Sequence, residues 1–461
     1  MEWSRVLSLG MTSLQLVAGV TAMLLAPWLI IKAVGAFRGH QYLPIAVVLA
    51  TVVPALLVVA AREGMFAEEG VPTLVGYSTV AALLFVGLHQ LAERHRGTAL
   101  GFALLGFGLI EVWAALTNAQ LGDGSKAIGQ IAIILIGPAL MASFYSADLS
   151  RRNKAGLVAY TGALVCGISL AAWFFNPEPY MVGTSARAGG GLLQERFVGV
   201  ANNPNTFGMI AAVTLIAATL RRGWSMWVVA LVALPALLLT GQRAGMMSAL
   251  VLAAGLGVTR TRHTAGRVLI AFAFLALMVP LFQSVYTSDE VDSDQSFADR
   301  QDAWAFVLGH VSELWLSGWG PAGLLERTRL DGIGTGLHHA HNEAMTALAV
   351  GGLPMLFLLV LVLVLGARAA VANRAPADRN IVGLLAVVPF LIFESPLHTG
   401  MNPMNVPQVA SIYLVAAALT SVAIGTGDPS QGGSHPPPPT ARHRQRPIGA
   451  AARRSRNRQV Q

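Results

Sequence analysis

The chain has 461 residues, of which 54% are hydrophobic and only 12% charged. A soluble globular domain carries about a quarter charged residues, so this balance excludes an ordinary water-soluble protein and points to a chain that crosses a membrane repeatedly. The net charge of +8 comes almost wholly from arginine, with lysine only at Lys32, Lys126 and Lys154, and the single cysteine, Cys166, excludes a disulfide framework.

Apolar runs close to the roughly 20 residues needed to cross about 30 Å of hydrocarbon fall near 11–36, 42–61, 72–92, 98–118, 126–147, 155–175, 205–220, 224–240, 244–259, 268–283, 342–367, 380–393 and 407–425. They predict an all-α polytopic fold of about 12 to 13 transmembrane helices, with a long extracytoplasmic loop carrying short helices. The first run is long and lacks a convincing small-residue cleavage site, so a retained span is expected rather than a signal peptide. The organisation divides into N-terminal transmembrane helices (1–190), a second transmembrane region that includes the loop 284–341 (191–425), and a Pro-rich basic tail (426–461). The tail, with GGSHPPPPT and the arginines after it, reads as a disordered cytoplasmic arm suited to anionic lipid head groups.

Basic residues in short loops stay cytoplasmic. The basic C-terminal tail therefore fixes the inner side, and alternation puts the basic loops at 368–379, 260–267, 221–223, 148–154, 93–97 and 37–41 on that side. The opposite face receives the loops 176–204 and 284–341, the turn around Arg243, and the segment 393–408. The 284–300 part of that face is acidic, with Asp289, Glu290, Asp292, Asp294 and Asp299, and a positive charge on this face runs against the sorting rule, as Arg187, Arg196, Arg243 and Arg300 do. For Arg62, Arg327 and Arg329, solvated loop positions near acidic neighbours suffice.

Arg196 and Arg243 lie within a few residues of helix starts, where guanidinium forks fit phosphate oxygens and the positive helix end favours anions. Asn203 or Asn205 can cap the helix that Pro204 begins. The sequence HHAHNE at 338–343 enters the next span directly. A titratable side chain at that depth is a functional candidate by default, because a bilayer penalises idle polarity. His338, His339, His341 and Glu343 are ligand types, but on a helix only separations of three or four residues share a face, which disfavours a metal site. Glu111, Glu394 and His398 are ionisable groups in or beside spans that want partners. Trp304 and Trp319 suit interface anchoring better than sugar stacking.

Five pieces line up in order: QERFVGVANNPNTFG (194–208), LTGQRAG (239–245), RQDAW (300–304), LSGWGPAG (316–323) and HNEAMTALAVGGL (341–353). This order resembles the O-antigen ligase and O-antigen polymerase superfamily of bacterial membrane glycosyltransferases, C-type in fold, over about residues 190–365. Gln242 departs from the serine common before the turn arginine, and the HHAH cluster is unusual.

The resemblance implies transfer of a glycan from a polyprenyl-pyrophosphate carrier to an acceptor hydroxyl, without metal or cofactor, at the outer face of the bacterial cytoplasmic (inner) membrane. Arg196 and Arg243 would hold the pyrophosphate and His341 would act as base, with Arg300, Asn342, Asn205 and Glu394 in support. Expected partners are the lipid-linked donor, a glycan, lipid or protein acceptor, and membrane lipids, but not nucleic acid. The alternative is a transporter or flippase of a lipid-linked precursor or anionic solute, which would favour helix breaks near the bilayer midplane.

Overall fold

A computed structural model describes residues 42–65, 71–93, 99–121, 125–146, 149, 151–183, 195–201, 203–221, 224–286, 297–330, 340, 342–372 and 377–394. Its helices are α1 (Tyr42–Arg62), α2 (Val71–Glu93), α3 (Ala99–Thr117), α4 (Ser125–Ser146), α5 (Arg151–Phe175), α6 (Pro204–Arg221), α7 (Ser225–Thr240), α8 (Arg243–Arg260), α9 (Thr264–Tyr286), α10 (Phe297–Gly309), α11 (Gly323–Leu330), α12 (Glu343–Ala372) and α13 (Ala377–Phe393). Every predicted span that falls on described residues coincides with one of these to within a few residues. The runs at 11–36 and 407–425, and the tail 426–461, lie outside the described residues.

Among the described residues six helices can each cross a membrane by length and composition, and Gln130–Tyr145, Pro204–Leu220, Ser225–Thr240 and Ile381–Phe393 are shorter apolar helices. These elements are apolar nearly all round, as befits helices with protein on one side and lipid on the other. Burial sorts them. The apolar window of α5 is 78% buried and that of α9 is 0% buried, so α5 is the central column and α9 the outermost helix. Around α5 pack α1, α6 and α7, while α13 lies along α8 and also touches α12.

The loop after α5 departs from the all-α expectation by a two-stranded antiparallel ribbon, β1 (Met181–Gly183) and β2 (Glu195–Phe197), which pairs Val182 with Arg196. Phe197 anchors it. Its fully buried ring lies 5.5 Å from Trp173 and 5.1 Å edge-on from Phe207, geometry that aromatic quadrupoles favour. Gly199 follows with φ +51, and a Cβ there would run into the Phe207 ring, so only glycine lets the chain turn over that aromatic cluster.

Arg62 is not the solvated loop residue expected from sequence. Its Nη1 donates to the Gly199 carbonyl at 2.7 Å, and its guanidinium lies 4.8 Å above the Tyr180 ring. The Tyr180 hydroxyl donates in turn to Glu63 Oε1 at 3.3 Å. Burial first, and then the Glu63 charge, push the Tyr180 phenol up to about 12, against the pull of Arg62. The folded state therefore holds this proton more tightly than the unfolded chain, whose tyrosines titrate near 10. The resulting stabilisation is full below about pH 10 and is lost as pH rises toward 12. Tyr180→Phe should flatten that alkaline decline in detergent thermal-unfolding curves; an unchanged slope would exclude Tyr180 as its source.

The longest helix, α12, is broken. Gly352 adopts φ 69, ψ −163, and Pro354 has no N–H with which to bind the Val350 carbonyl. Such a break inside an apolar span leaves costly orphan groups. A loop satisfies three of them: Trp319 N donates to Ala349 O at 2.7 Å, Gly320 N to Val350 O at 3.0 Å, and Leu353 N to Leu314 O at 3.1 Å. The end of α3 clamps the same loop, with Asn118 Nδ2 on Gly318 O at 3.1 Å, Gln120 Nε2 on Trp319 O at 2.7 Å, and Gln120 Oε1 accepting from Ala322 N at 3.1 Å. The Gly-Trp-Gly motif is thus a plug for a broken membrane helix. Trp319, expected at a lipid interface, is instead 6% exposed and packs on Phe306 and His310.

Candidate functional site

β2 carries Arg196 to a corner where two helices end. Its Nε donates to the Thr240 carbonyl at 2.8 Å and its Nη2 to Asn205 Oδ1 at 2.9 Å. Thr240 is the last residue of α7, so the guanidinium meets both an orphan carbonyl and the negative end of the helix dipole. Asn203 and Asn205 divide the labour that sequence left open. Asn203 Oδ1 accepts from the N–H groups of Asn205 at 2.8 Å and Thr206 at 3.4 Å, capping α6 behind Pro204, while Asn205 holds Arg196.

After Thr240 the chain turns through Gly241, left-handed at φ 62, into Gln242 and Arg243, the first residue of α8. No side chain caps α8. Gln242 is 1% exposed, and among the described residues neither of its amide atoms has a hydrogen-bond partner. It fills the close approach of Gly208 on α6 to Gly245 on α8. Serine could not span that groove.

His341 and the side chain of Arg300 lie outside the described residues, as do His338, His339 and His398. The residues on both sides of His341 are fixed, however. Ala340 accepts from Trp304 Nε1 at 2.6 Å through its carbonyl and donates its N–H to Thr346 Oγ1 at 3.3 Å. Asn342 caps α12, its Oδ1 accepting from Ala344 N at 3.0 Å and Met345 N at 3.1 Å, and its Nδ2 donates to the Ile392 carbonyl at 3.2 Å. Trp304 is therefore a hydrogen-bonding strut rather than an interface anchor.

Gly255 on α8 faces Val382 on α13, so the helix that Arg243 opens packs against the helix that Glu394 follows. Glu394, at the end of α13, is 5% exposed. The Asn342 bond to Ile392 ties the start of α12 to the end of α13. Glu111 is buried on α3.

Thr240, Trp304 and Thr346 act here without having been singled out for these roles. A backbone carbonyl carries no sequence signal, and Trp304 was visible only as an aromatic at a membrane margin. Trp304→Phe keeps the ring and removes the N–H. We expect about a tenfold fall in kcat for the reaction proposed below, the scale of one lost buried hydrogen bond, with donor KM unchanged; steady-state kinetics at varied donor check it.

No family model matches the chain, and no curated protein matches it either.

Proposed function

We propose that this chain is a membrane glycosyltransferase of about 12 to 13 spans, which moves a glycan from a polyprenyl pyrophosphate to an acceptor hydroxyl at the outer face of a bacterial cytoplasmic membrane. The observation that supports the reading is that Arg196 is held against Thr240, the last residue of α7, three residues before Arg243 opens α8, so that two arginines stand at one helix junction.

In this reaction the acceptor oxygen attacks the anomeric carbon, the bond from that carbon to the pyrophosphate oxygen breaks, and its electron pair leaves with the carrier. The acceptor proton passes to the His341 imidazole, which serves as general base. Arg196 and Arg243 offset the charge that grows on the leaving pyrophosphate, and preorganised cations of this kind lower the barrier without a metal. Arg196 suits the task because Thr240 and Asn205 fix its plane before any substrate arrives. A direct displacement inverts the anomeric centre.

Incubating the purified full chain in detergent with a polyprenyl-pyrophosphate glycan and candidate acceptors tests the reading. His341→Ala should reduce product by about 10² or more, the scale of a general base; full activity in that variant would remove the histidine from the mechanism. The proposed sidedness predicts that Ser296→Cys labels from outside the cell. Transport is the second reading, and the break in α12 is what favours it. The carbonyls released there are bound by Trp319 and Gly320, so they are not available to coordinate a solute, and transfer is the better account.

A further inference from the structure

We infer that the segment from the end of α10 to the plug, residues 308–316, is a membrane-inserted wedge, although it belongs to the loop assigned to the aqueous phase from sequence. Its partner is the lipid at the acyl-to-headgroup boundary around the start of α12. The inference stands independently of the proposed glycan transfer.

Depth is fixed by backbone bonds. The membrane-crossing stretch of α12 ends near Arg368, and counting back about 20 residues, the length of a span, reaches Leu348. Leu314, Trp319 and Gly320 bond the backbone of α12 at Leu353, Ala349 and Val350, so the loop touches α12 at the hydrocarbon boundary and not above it. Leu308, Val311, Trp315 and Leu316 are 53%, 41%, 65% and 74% exposed at this level. Four large apolar side chains left bare by the protein fold mark an interaction surface.

The polarity of the exposed edge follows the same axis. Among the described side chains of α10 the exposed positions are Gln301, Asp302, Ala305, Leu308 and Gly309, so this edge runs from polar to apolar as it approaches the plug. Tryptophan at a membrane boundary places its amphipathic ring among head groups. Ser312 and Glu313, exposed on the same turn, hold the wedge in the interfacial layer rather than at the hydrocarbon centre. Arg327, 5.9 Å over the Trp319 ring, supplies a cation at head-group height.

The wedge is also joined to the candidate site. Trp304, one turn before Leu308 on α10, binds Ala340 beside His341.

Spin labelling of the full chain in phosphatidylglycerol–phosphatidylcholine nanodiscs tests this. Nitroxides at Trp315→Cys and Leu316→Cys should collide with oxygen several-fold more often than with a water-soluble nickel chelate, and a label at Asp302→Cys should show the reverse. The four wedge side chains are exposed, and Leu308→Cys or Val311→Cys replaces either variant should it fold poorly. Nickel access at residue 316 equal to that at 302 would overturn the inference. So would low access to both agents with dipolar broadening between labels, which would identify a second copy of the chain as the occupant.

Discussion

Arg196→Lys should cost about 10²–10³-fold in transfer rate, the scale seen when one preorganised charge-stabilising group is lost, while leaving the chain folded. Lysine keeps the charge but not the planar fork. The Nε bond to Thr240 and the Nη2 bond to Asn205 fix the guanidinium plane, and an ammonium on a flexible stem can satisfy only one of them well. A charge that must reorganise as the pyrophosphate leaves stabilises the transition state less than one already in place. Product formation by the purified variant, beside its thermal midpoint in detergent, is the measurement. Asn205→Ala removes one strut and keeps the charge, so a loss smaller than that of Arg196→Lys is expected. Wild-type turnover in Arg196→Lys would show that the fork has no part in the chemistry and that Arg196 serves only to cap α7.

Gly352→Ala should destabilise the fold by roughly 2–4 kcal/mol, combining backbone strain with steric conflict. At φ 69, ψ −163 the backbone occupies a region essentially confined to glycine. A Cβ there would also strike the Leu314 carbonyl and come within 3.1 Å of Gly318 N, prising out the loop that satisfies the broken helix. Once that loop leaves, Ala349, Val350 and Leu353 expose unpaired groups in an apolar layer. Fluorescence-detected gel filtration after heating should show a midpoint lower by at least about 5 °C. Gly87→Ala is the control: it lies within α2 with no atom near its missing Cβ, so helix propensity predicts a neutral or slightly stabilising change of up to about 1 kcal/mol. Equal midpoints in the two variants would mean that the plug contributes nothing to stability.

The helices could be read from sequence because each is one continuous apolar run, and a bilayer leaves such a run no alternative to internal hydrogen bonding. The ribbon β1–β2 could not, since Met181–Gly183 and Glu195–Phe197 are too short for alternation to show; they pair because Phe197 is driven between Trp173 and Phe207. The break at Gly352 was half visible. Gly351, Gly352 and Pro354 mark a weak point, but the donors that relieve it come from residues 319 and 320, more than thirty positions earlier.

The same division runs through the candidate site. Arg196 and Arg243 were legible because a cation on the side opposite the basic loops is conspicuous, and Asn203 and Pro204 were legible as a helix start. What the sequence alone determined is therefore class and location: an apolar helical bundle with particular polar residues left at its ends, because the cost of burying charge in lipid is local and acts residue by residue. Only the tertiary structure decided that Arg196 grips Thr240 and Asn205, that Trp304 braces Ala340, and that Arg62 ties Gly199 rather than facing water. Apart from the Asn205 bond, those contacts join segments tens of residues apart through backbone carbonyls, which every residue carries, so nothing in the side-chain pattern distinguishes the carbonyl that will be bound from those that will not.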